Sequence, residues 1–513
     1  MTKLALVILC IVLASCASAA YKILVIFPLP ARSHSILGSG VVRHLLNAGH
    51  EVTYATPYPK HENNPKLHEI DLSSNMDMLP KNVLNIKSIM ENNVTDSMKN
   101  FLFYIGLMMS KKTIEHENFQ KILADQNQHF ELIIAEWMFS ELIAAVYDAP
   151  LIWFSTIEPH WMILSQIDEY LNPAYNTFDI VELPPLTFSQ RLAELWFTIK
   201  MVVIRETRNY SDLYERLIVP HIEARGKMSP TYEELRYNAS LVFGNSHVSM
   251  GQATRLPQNY KPVGGYHIDD NVKPLPEDLK RIIDEAKDGV IYFSMGSNLS
   301  SKDMPDEIKK DLLILFASLK QTVIWKFEED LPDKPKNVYI LKWAPQQSIL
   351  AHPNVRMFIT HGGLLSTTET IFAGKPIIGI PVFFDQFINV ARAVNRGFAK
   401  KVDLSYSMAG DLKIDIEDIL NDPKYAQKAK DLSFVHHDRP VMPGQEIIHW
   451  TNHVIKTKGA PHLRSPALMV PWYQKIYLDL AIVLILAVLL IRLIFRRVKN
   501  IIFPKKTMKK KTN

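Results

Sequence analysis

With 513 residues, 47% of them hydrophobic and 22% charged, the chain is too long for one compact core and too apolar to stay unfolded, so two domains are expected. Its formal charge of +5 is unevenly placed: nine Lys/Arg and no acid lie from Arg492 onward, and without these and Lys3 the remaining 48 bases face 53 acids, which excludes a nucleic-acid-binding body. Both cysteines, Cys10 and Cys16, fall within the first nineteen residues, so the remainder has no disulfide, zinc–cysteine site or thiol nucleophile.

Residues 1–19 place Lys3 before an apolar run and end on Ala17-Ser18-Ala19, the small-x-small pattern of a secretory signal peptide cleaved near Ala20. "KILVIF" (22–27) then reads as a strand buried on both faces, followed by a loop holding His34. Apolar residues from Ile36 to Leu46 recur at helical spacing until Gly49, and "EVTYAT" (51–56) returns as a strand. Strand–helix–strand is the unit of a parallel sheet. "FELIIAEW" (130–137) and "APLIWFS" (149–155) add strands, while 57–128 and 157–235 read as helices and loops walling a pocket. "YKPVGGYHIDD" (260–270) marks a linker or hinge.

The alternation then restarts with "GVIYFSMGSN" (289–298), a helix over 305–320, "TVIWKF" (322–327), "NVYILKW" (337–343), "VRMFITH" (355–361), "PIIGIP" (376–381) and "FAKKVD" (398–403). This predicts an α/β chain of two Rossmann-like domains facing across a cleft: 20–262 for the acceptor and 263–470 for the donor. The run 476–495 is long enough to span a bilayer, and the basic tail 496–513 sets it as cytoplasmic with the body luminal. The tail ends "KKTN", similar to a dilysine retrieval signal, so the expected location is the endoplasmic reticulum membrane. Sequons occur at Asn93, Asn209, Asn238 and Asn298.

"FITHGGLLSTTET" (358–370) puts His361 where a buried strand gives way to a helix. Ligands gather beyond the carboxyl ends of such strands, and a helix start near Leu365 aims unpaired N–H groups and a positive dipole there, which suits a phosphate or diphosphate. Gly363 lets a ligand approach the backbone, Ser366 adds a hydroxyl, and Glu369 can accept from ribose hydroxyls. A glycine turn with a helix-capping serine would give the same thirteen residues. Two neighbouring strand ends favour the ligand: "WAPQ" (343–346) offers Trp343 and Gln346 to a base, and "FFDQ" (383–386) offers Asp385 and Gln386 to sugar hydroxyls.

The block 342–394 resembles the donor signature of the membrane-bound animal UDP-glycosyltransferases, and the likeness extends over the whole chain, from "SH" after the first strand through "VGG" and "FSMGSN" to the late span and lysine-rich tail. The resemblance implies a fold of the GT-B type and a UDP-sugar co-substrate, with no other cofactor and no metal. It implies that Trp343 and Gln346 hold uracil, His361, Gly363, Ser366 and Ser297 the diphosphate, Glu369 the ribose, and Asp385 with Gln386 the sugar. Vertebrate members carry Asn-Gly where this chain has Leu365-Ser366, and "HGGLLST" resembles the insect members.

Members use a histidine after the first strand, oriented by an acid at the end of a later one. His34 is therefore the expected base, with Glu136 standing in for the usual aspartate and Glu141 in reserve. The resemblance implies inverting transfer of a hexose, UDP-glucose being preferred, to a hydroxyl of a small lipophilic acceptor in detoxification-type conjugation. "FLFYIGLMM" (101–109) and "ELWFTIKMVV" (194–203) would line the acceptor pocket, lie against the membrane, or serve as core helices. A luminal binder that has lost catalysis, or a transferase acting on a membrane lipid or protein, are the competing expectations, and a homo-oligomer is compatible with all of them.

Overall fold

The computed structural model describes residues 20–503, apart from 79–85, 91–94, 139–142, 169–171, 173–183, 207–209, 252, 270, 298 and 300. The expected signal segment, Glu141, the sequons Asn93, Asn209 and Asn298, and the tail from 504 onward lie outside the described residues. Two compact units result, 1–464 and 465–513.

The larger unit contains two parallel sheets. The first holds β1 (Lys22–Ile26), β2 (Glu51–Thr56), β3 (Leu67–Asp71), β4 (Leu132–Glu136), β5 (Leu151–Ser155), β6 (Ala239–Gly244) and β7 (Tyr260–Pro262), in the order β3-β2-β1-β4-β5-β6-β7. The second holds β8 (Val290–Ser294), β9 (Thr322–Lys326), β10 (Val338–Leu341), β11 (Val355–Thr360), β12 (Ile377–Gly379) and β13 (Ala399–Lys401), in the order β10-β9-β8-β11-β12-β13. Each sheet thus builds outward from its first strand in one direction, then starts again on the other side. The crevice where that reversal occurs lies between β1 and β4 in one lobe and between β8 and β11 in the other.

The central strands are continuous apolar runs because helices cover both faces. Every residue of β4, β5, β6 and β8 is buried. By contrast β3, "LHEID", is a half-exposed edge strand with little apolar signal. The helices that position the site are α1 (Arg32–Asn47), α2 (Phe188–Glu206), α3 (Gln346–Ala351), α4 (Leu364–Ala373), α5 (Gln386–Asn395), α6 (Pro423–His437) and α7 (Pro443–Lys456). Gly49, at φ 91°, follows the end of α1 as the spacing predicts.

Each lobe lends a segment to the other. Ile86 is buried in the second lobe's core, whereas Ile447, Val454 and Ala460, which the sequence division at 262/263 assigns to the second domain, are buried in the first lobe's core against α1. The linker is fastened rather than loose. Val263 to Ile268 are buried, and Arg43 and His44 of α1 both reach the Tyr266 carbonyl at 2.9 Å.

Of the two segments considered for the acceptor, 101–109 buries Ile105 and Met109 against Leu29, Met78 and Met138. The second, 194–203, lies in α2. This helix turns Glu194 inward and presents Leu195, Trp196, Ile199 and Val203 to the outside. In the smaller unit, α8 (Leu478–Ile502) is a 25-residue helix long and apolar enough to cross a membrane, continuing seven residues past the predicted span. The carboxylate of Asp479 accepts from the Leu480 backbone N–H at 2.9 Å, at the end of the helix where the dipole favours an acid.

Candidate active site

His34 stands in the first turn of α1, directly after β1, and Glu136 is the last residue of β4. Because β1 and β4 are paired neighbours, with Ile26 opposite Ala135, the two side chains emerge at the first lobe's switch point. His34 Nδ1 hydrogen-bonds to the Glu136 carboxylate. Glu136 is fully buried, while the histidine side chain keeps 21% of its surface exposed. A carboxylate accepting from Nδ1–H selects the tautomer whose Nε2 carries the lone pair. The extra methylene of glutamate relative to aspartate does not prevent this contact. Tyr54 and Tyr266 pack nearby, and burial first, with Glu136 adding to it, pushes both phenols up, Tyr54 to about 12.

In the second lobe His361 follows β11 and faces the loop after β8. Its ring is wedged between two glycines: a Cβ at Gly296 would lie 2.5 Å from the ring, and one at Gly363 would lie 2.6 Å from Nε2. Burial, and then the charge of Lys326, push the imidazole down to about 4, so it is neutral at pH 7. The positive charge here belongs to Lys326 at the end of β9, which is 7% exposed and whose Nζ donates to the Gly296 carbonyl at 3.2 Å and to Glu328. Ser297 is exposed in the same turn.

Helix α4 starts at Leu364, with Gly363 as its N-cap, and ends at Gly374, φ 64°. Its buried hydroxyls are satisfied by its own carbonyls: Thr367 donates to Gly363 O at 3.0 Å, Thr368 to Leu364 O at 2.8 Å and Thr370 to Ser366 O at 2.6 Å. That leaves Ser366 and Glu369 facing α3. Gln346 donates to Ser366 Oγ at 3.1 Å and to Glu369 Oε2 at 2.6 Å, and Gln347 donates to Glu369 Oε1 at 2.9 Å. The groups expected to serve base, phosphate and ribose separately therefore form one bonded cluster. Leu365, where vertebrate relatives have a polar residue, packs against the first lobe's core.

Trp343 is 59% exposed, and the Arg32 guanidinium of α1 lies 5.3 Å from its ring centre and 5.2 Å from that of Tyr58. Asp385 precedes α5 and accepts from Asn389 Nδ2 at 2.8 Å. Burial raises its carboxyl; the Asn389 bond, its own backbone N–H, His34 and Arg392 oppose that rise. Gln386 accepts from the Val382 and Phe383 N–H groups at 2.8 and 3.1 Å.

Two groups near this site escaped the sequence reading. Lys326 could have been found as a cation ending an otherwise apolar strand, a signal that Lys342 of "NVYILKW" shares. His267 gave no signal beyond a linker histidine, yet its side chain is fully buried with Nε2 3.6 Å from Glu369 Oε1.

Two parallel sheets, whose first six strands follow the same order, each with polar side chains gathered at its switch point, define the GT-B fold. Among solved structures, the kitacinnamycin glycotransferase superposes with a TM-score of 0.56 at 16% identity, covering 84% of this chain and 99% of that one. The calicheamicin glycosyltransferase CalG4 gives the same score and identity over 85% and 99%. The chain matches the family described as "UDP-glucoronosyl and UDP-glucosyl transferase" over residues 22–513, and it belongs to that family. It is 33% identical to UDP-glycosyltransferase UGT5 of Dactylopius coccus, over 93% of this chain and 92% of the relative. It is 27% identical to UDP-glucuronosyltransferase 2B19 of Macaca fascicularis, over 87% of each. The protein is accordingly an enzyme that transfers a sugar from a UDP-sugar.

Proposed function

We propose that the enzyme moves glucose from UDP-glucose to a hydroxyl of a small lipophilic acceptor, with inversion, in detoxification-type conjugation. The observation that carries this reading is the His34–Glu136 pair at the first lobe's switch point. His34 Nε2 takes the acceptor proton as the acceptor oxygen bonds to the anomeric carbon. The bond from that carbon to the diphosphate oxygen breaks, and its electron pair leaves with UDP. Glu136 holds the imidazole tautomer and stabilises the imidazolium. Lys326 and the N–H groups opening α4 sit where the leaving diphosphate gathers charge. Ser297, His361, Gly363 and Ser366 hold the diphosphate, Trp343 and Gln346 the uracil, Glu369 the ribose, and Asp385 with Gln386 the hexose.

The protein is anchored by α8 in the endoplasmic reticulum membrane, with a luminal body and a cytoplasmic tail. The length and apolarity of α8 support the anchor. An insect relative carrying the printed name UDP-glucosyltransferase 2, 30% identical over 89% of this chain, supports glucose.

The test is a microsomal assay offering UDP-glucose, UDP-glucuronate and UDP-galactose against a panel of phenols. The fastest conjugation is expected with UDP-glucose. Equal or faster turnover with UDP-glucuronate would overturn the donor assignment, and UDP binding with no turnover on any acceptor would favour a binder without catalysis.

A further inference from the structure

Beneath the candidate sugar residues the two lobes bury a carboxylate and a guanidinium together. Glu158 lies in the loop after β5, and Arg392 lies in α5, seven residues after Asp385. Their side chains are 11% and 15% exposed, and Glu158 Oε2 is 3.9 Å from an Arg392 nitrogen. Arg396, the residue that caps the end of α5, donates to the carbonyls of Val248, at 2.9 Å, and Gly251, both on the segment that follows β6. A cavity of about 10 Å³ lies beside these groups, lined also by Thr367 and Asn389. That is room for one water, and Glu158 Oε1 and Arg392 Nε, both buried, have no hydrogen-bond partner among the described residues.

Two charges buried at a junction between lobes are costly unless the geometry around them is used. Seven residues are two helical turns, so Asp385 and Arg392 share one face of α5. Arg392 pairs with Glu158 of the acceptor lobe, and Asn389, three residues earlier on α5, lines the same cavity and donates to the Asp385 carboxylate at 2.8 Å.

We propose that Arg392 is a positioning residue for the donor sugar: held across the lobe junction by Glu158, it fixes Asp385 against the sugar hydroxyls and ties that grip to closure of the second lobe on the first. The inference rests on the reading that Asp385 binds the hexose. It predicts a specific split, because the pair acts on the sugar and not on the nucleotide.

The experiment uses the full chain in microsomes and measures KM for UDP-glucose, kcat, and inhibition by UDP, for Asp385→Asn, Arg392→Met, Arg392→Lys and Glu158→Gln. Arg392→Met is expected to raise KM for UDP-glucose about tenfold with UDP inhibition nearly unchanged, Arg392→Lys to recover most of it, and Glu158→Gln to show a smaller rise. A second readout is pH. The charged groups facing Glu158 are Arg392, Arg396 and Asp385, together with a backbone hydrogen bond from His247. Burial pushes this carboxyl up to about 7, against the pull of both arginines. The pair is therefore charged on both sides only above neutral pH, and KM of the unmodified enzyme should fall from pH 6 to 8, a dependence that Glu158→Gln removes. If Asp385→Asn leaves KM unchanged, the reading of the sugar site fails. If Asp385→Asn raises KM while Glu158→Gln retains the full pH dependence and Arg392→Met matches the parent, the positioning role fails alone. Parallel losses of UDP inhibition, kcat and Tm in Arg392→Met and Glu158→Gln would likewise reduce the pair to a structural one.

Discussion

The two lobes share a strand order and use the same crevice of their sheets for different tasks. At the first lobe's switch point the chemistry is concentrated in one pair, a fully buried carboxylate bonded to a partly exposed imidazole. At the second lobe's switch point it is dispersed over a wedged neutral histidine, a buried lysine, two glycines and a cluster of amide, hydroxyl and carboxylate groups. A proton transfer needs one group of the right basicity at one place, whereas holding a nucleotide and sugar needs many weak contacts arrayed over a length. Substitutions in the first lobe should therefore collapse kcat, and those in the second should change affinity by steps.

The largest effect expected on this contrast is for His34→Ala: kcat should fall about a thousandfold, within the range for a general base, with UDP affinity retained. Glu136→Asp should lie between the two, because the shorter side chain keeps the acceptor oxygen but draws it away from Nδ1. Rapid-quench product formation and UDP inhibition, measured side by side, check both. A His34→Ala enzyme that lost UDP binding in step with turnover would erase the distinction between the lobes.

How much of this was legible beforehand follows from where each signal resides. Most of the ten strands anticipated are short apolar runs, and their positions hold because burial on both faces leaves a strong compositional signal, although the fully buried β6 and the short β7 were not read as strands. The edge strand β3 was hidden because "LHEID" is half-exposed and so carries polar residues. His34 and Glu136 were expected from the family resemblance rather than from position alone, and they do meet. Gln346 and Glu369 were expected to serve base and ribose separately, yet they bond each other, since contacts between α3 and α4 leave no trace in spacing. The Glu158–Arg392 pair joins residues 234 positions apart on different lobes, and the return of α7 to the first lobe depends on which core has room for Ile447 and Val454. Long-range pairing of this kind is a property of the packed structure alone.

A second test of the contrast replaces Gly363 by alanine. The backbone there, φ −61°, accepts any residue, so the consequence comes entirely from the new methyl group against the His361 ring. Glycines 363 and 296 both approach the Cε1–Nε2 edge of the ring, so overpacking there should cost about 1–3 kcal/mol of stability. UDP affinity should fall with it while His34 chemistry is retained, giving reduced kcat/KM at nearly unchanged kcat. Titration calorimetry with UDP and a melting curve measure the two effects. A variant with normal UDP affinity would show that the wedge is packing only.

The smallest effect concerns the junction between the lobes and separates stability from function by sign. Glu158 has a carboxyl raised to about 7 in the folded chain from an ordinary 4.5, so between those values the folded state holds a proton that the unfolded state has lost. Stability linked to this group is present below the unfolded value, is lost as pH rises through the folded one, and is absent above it. The stability difference between the parent and Glu158→Gln should therefore narrow or reverse as pH rises from about 4.5 to about 7, by an amount worth a Tm change of about 2–4 °C. Sugar binding should move the other way, since the pair with Arg392 forms only as Glu158 ionises. The detergent-solubilised full chain can be melted across this range beside its Glu158→Gln counterpart. Parallel curves would place the carboxyl in water rather than at a buried junction, and the opposition between a chemically concentrated lobe and a distributed one would then lose the link that makes them act together.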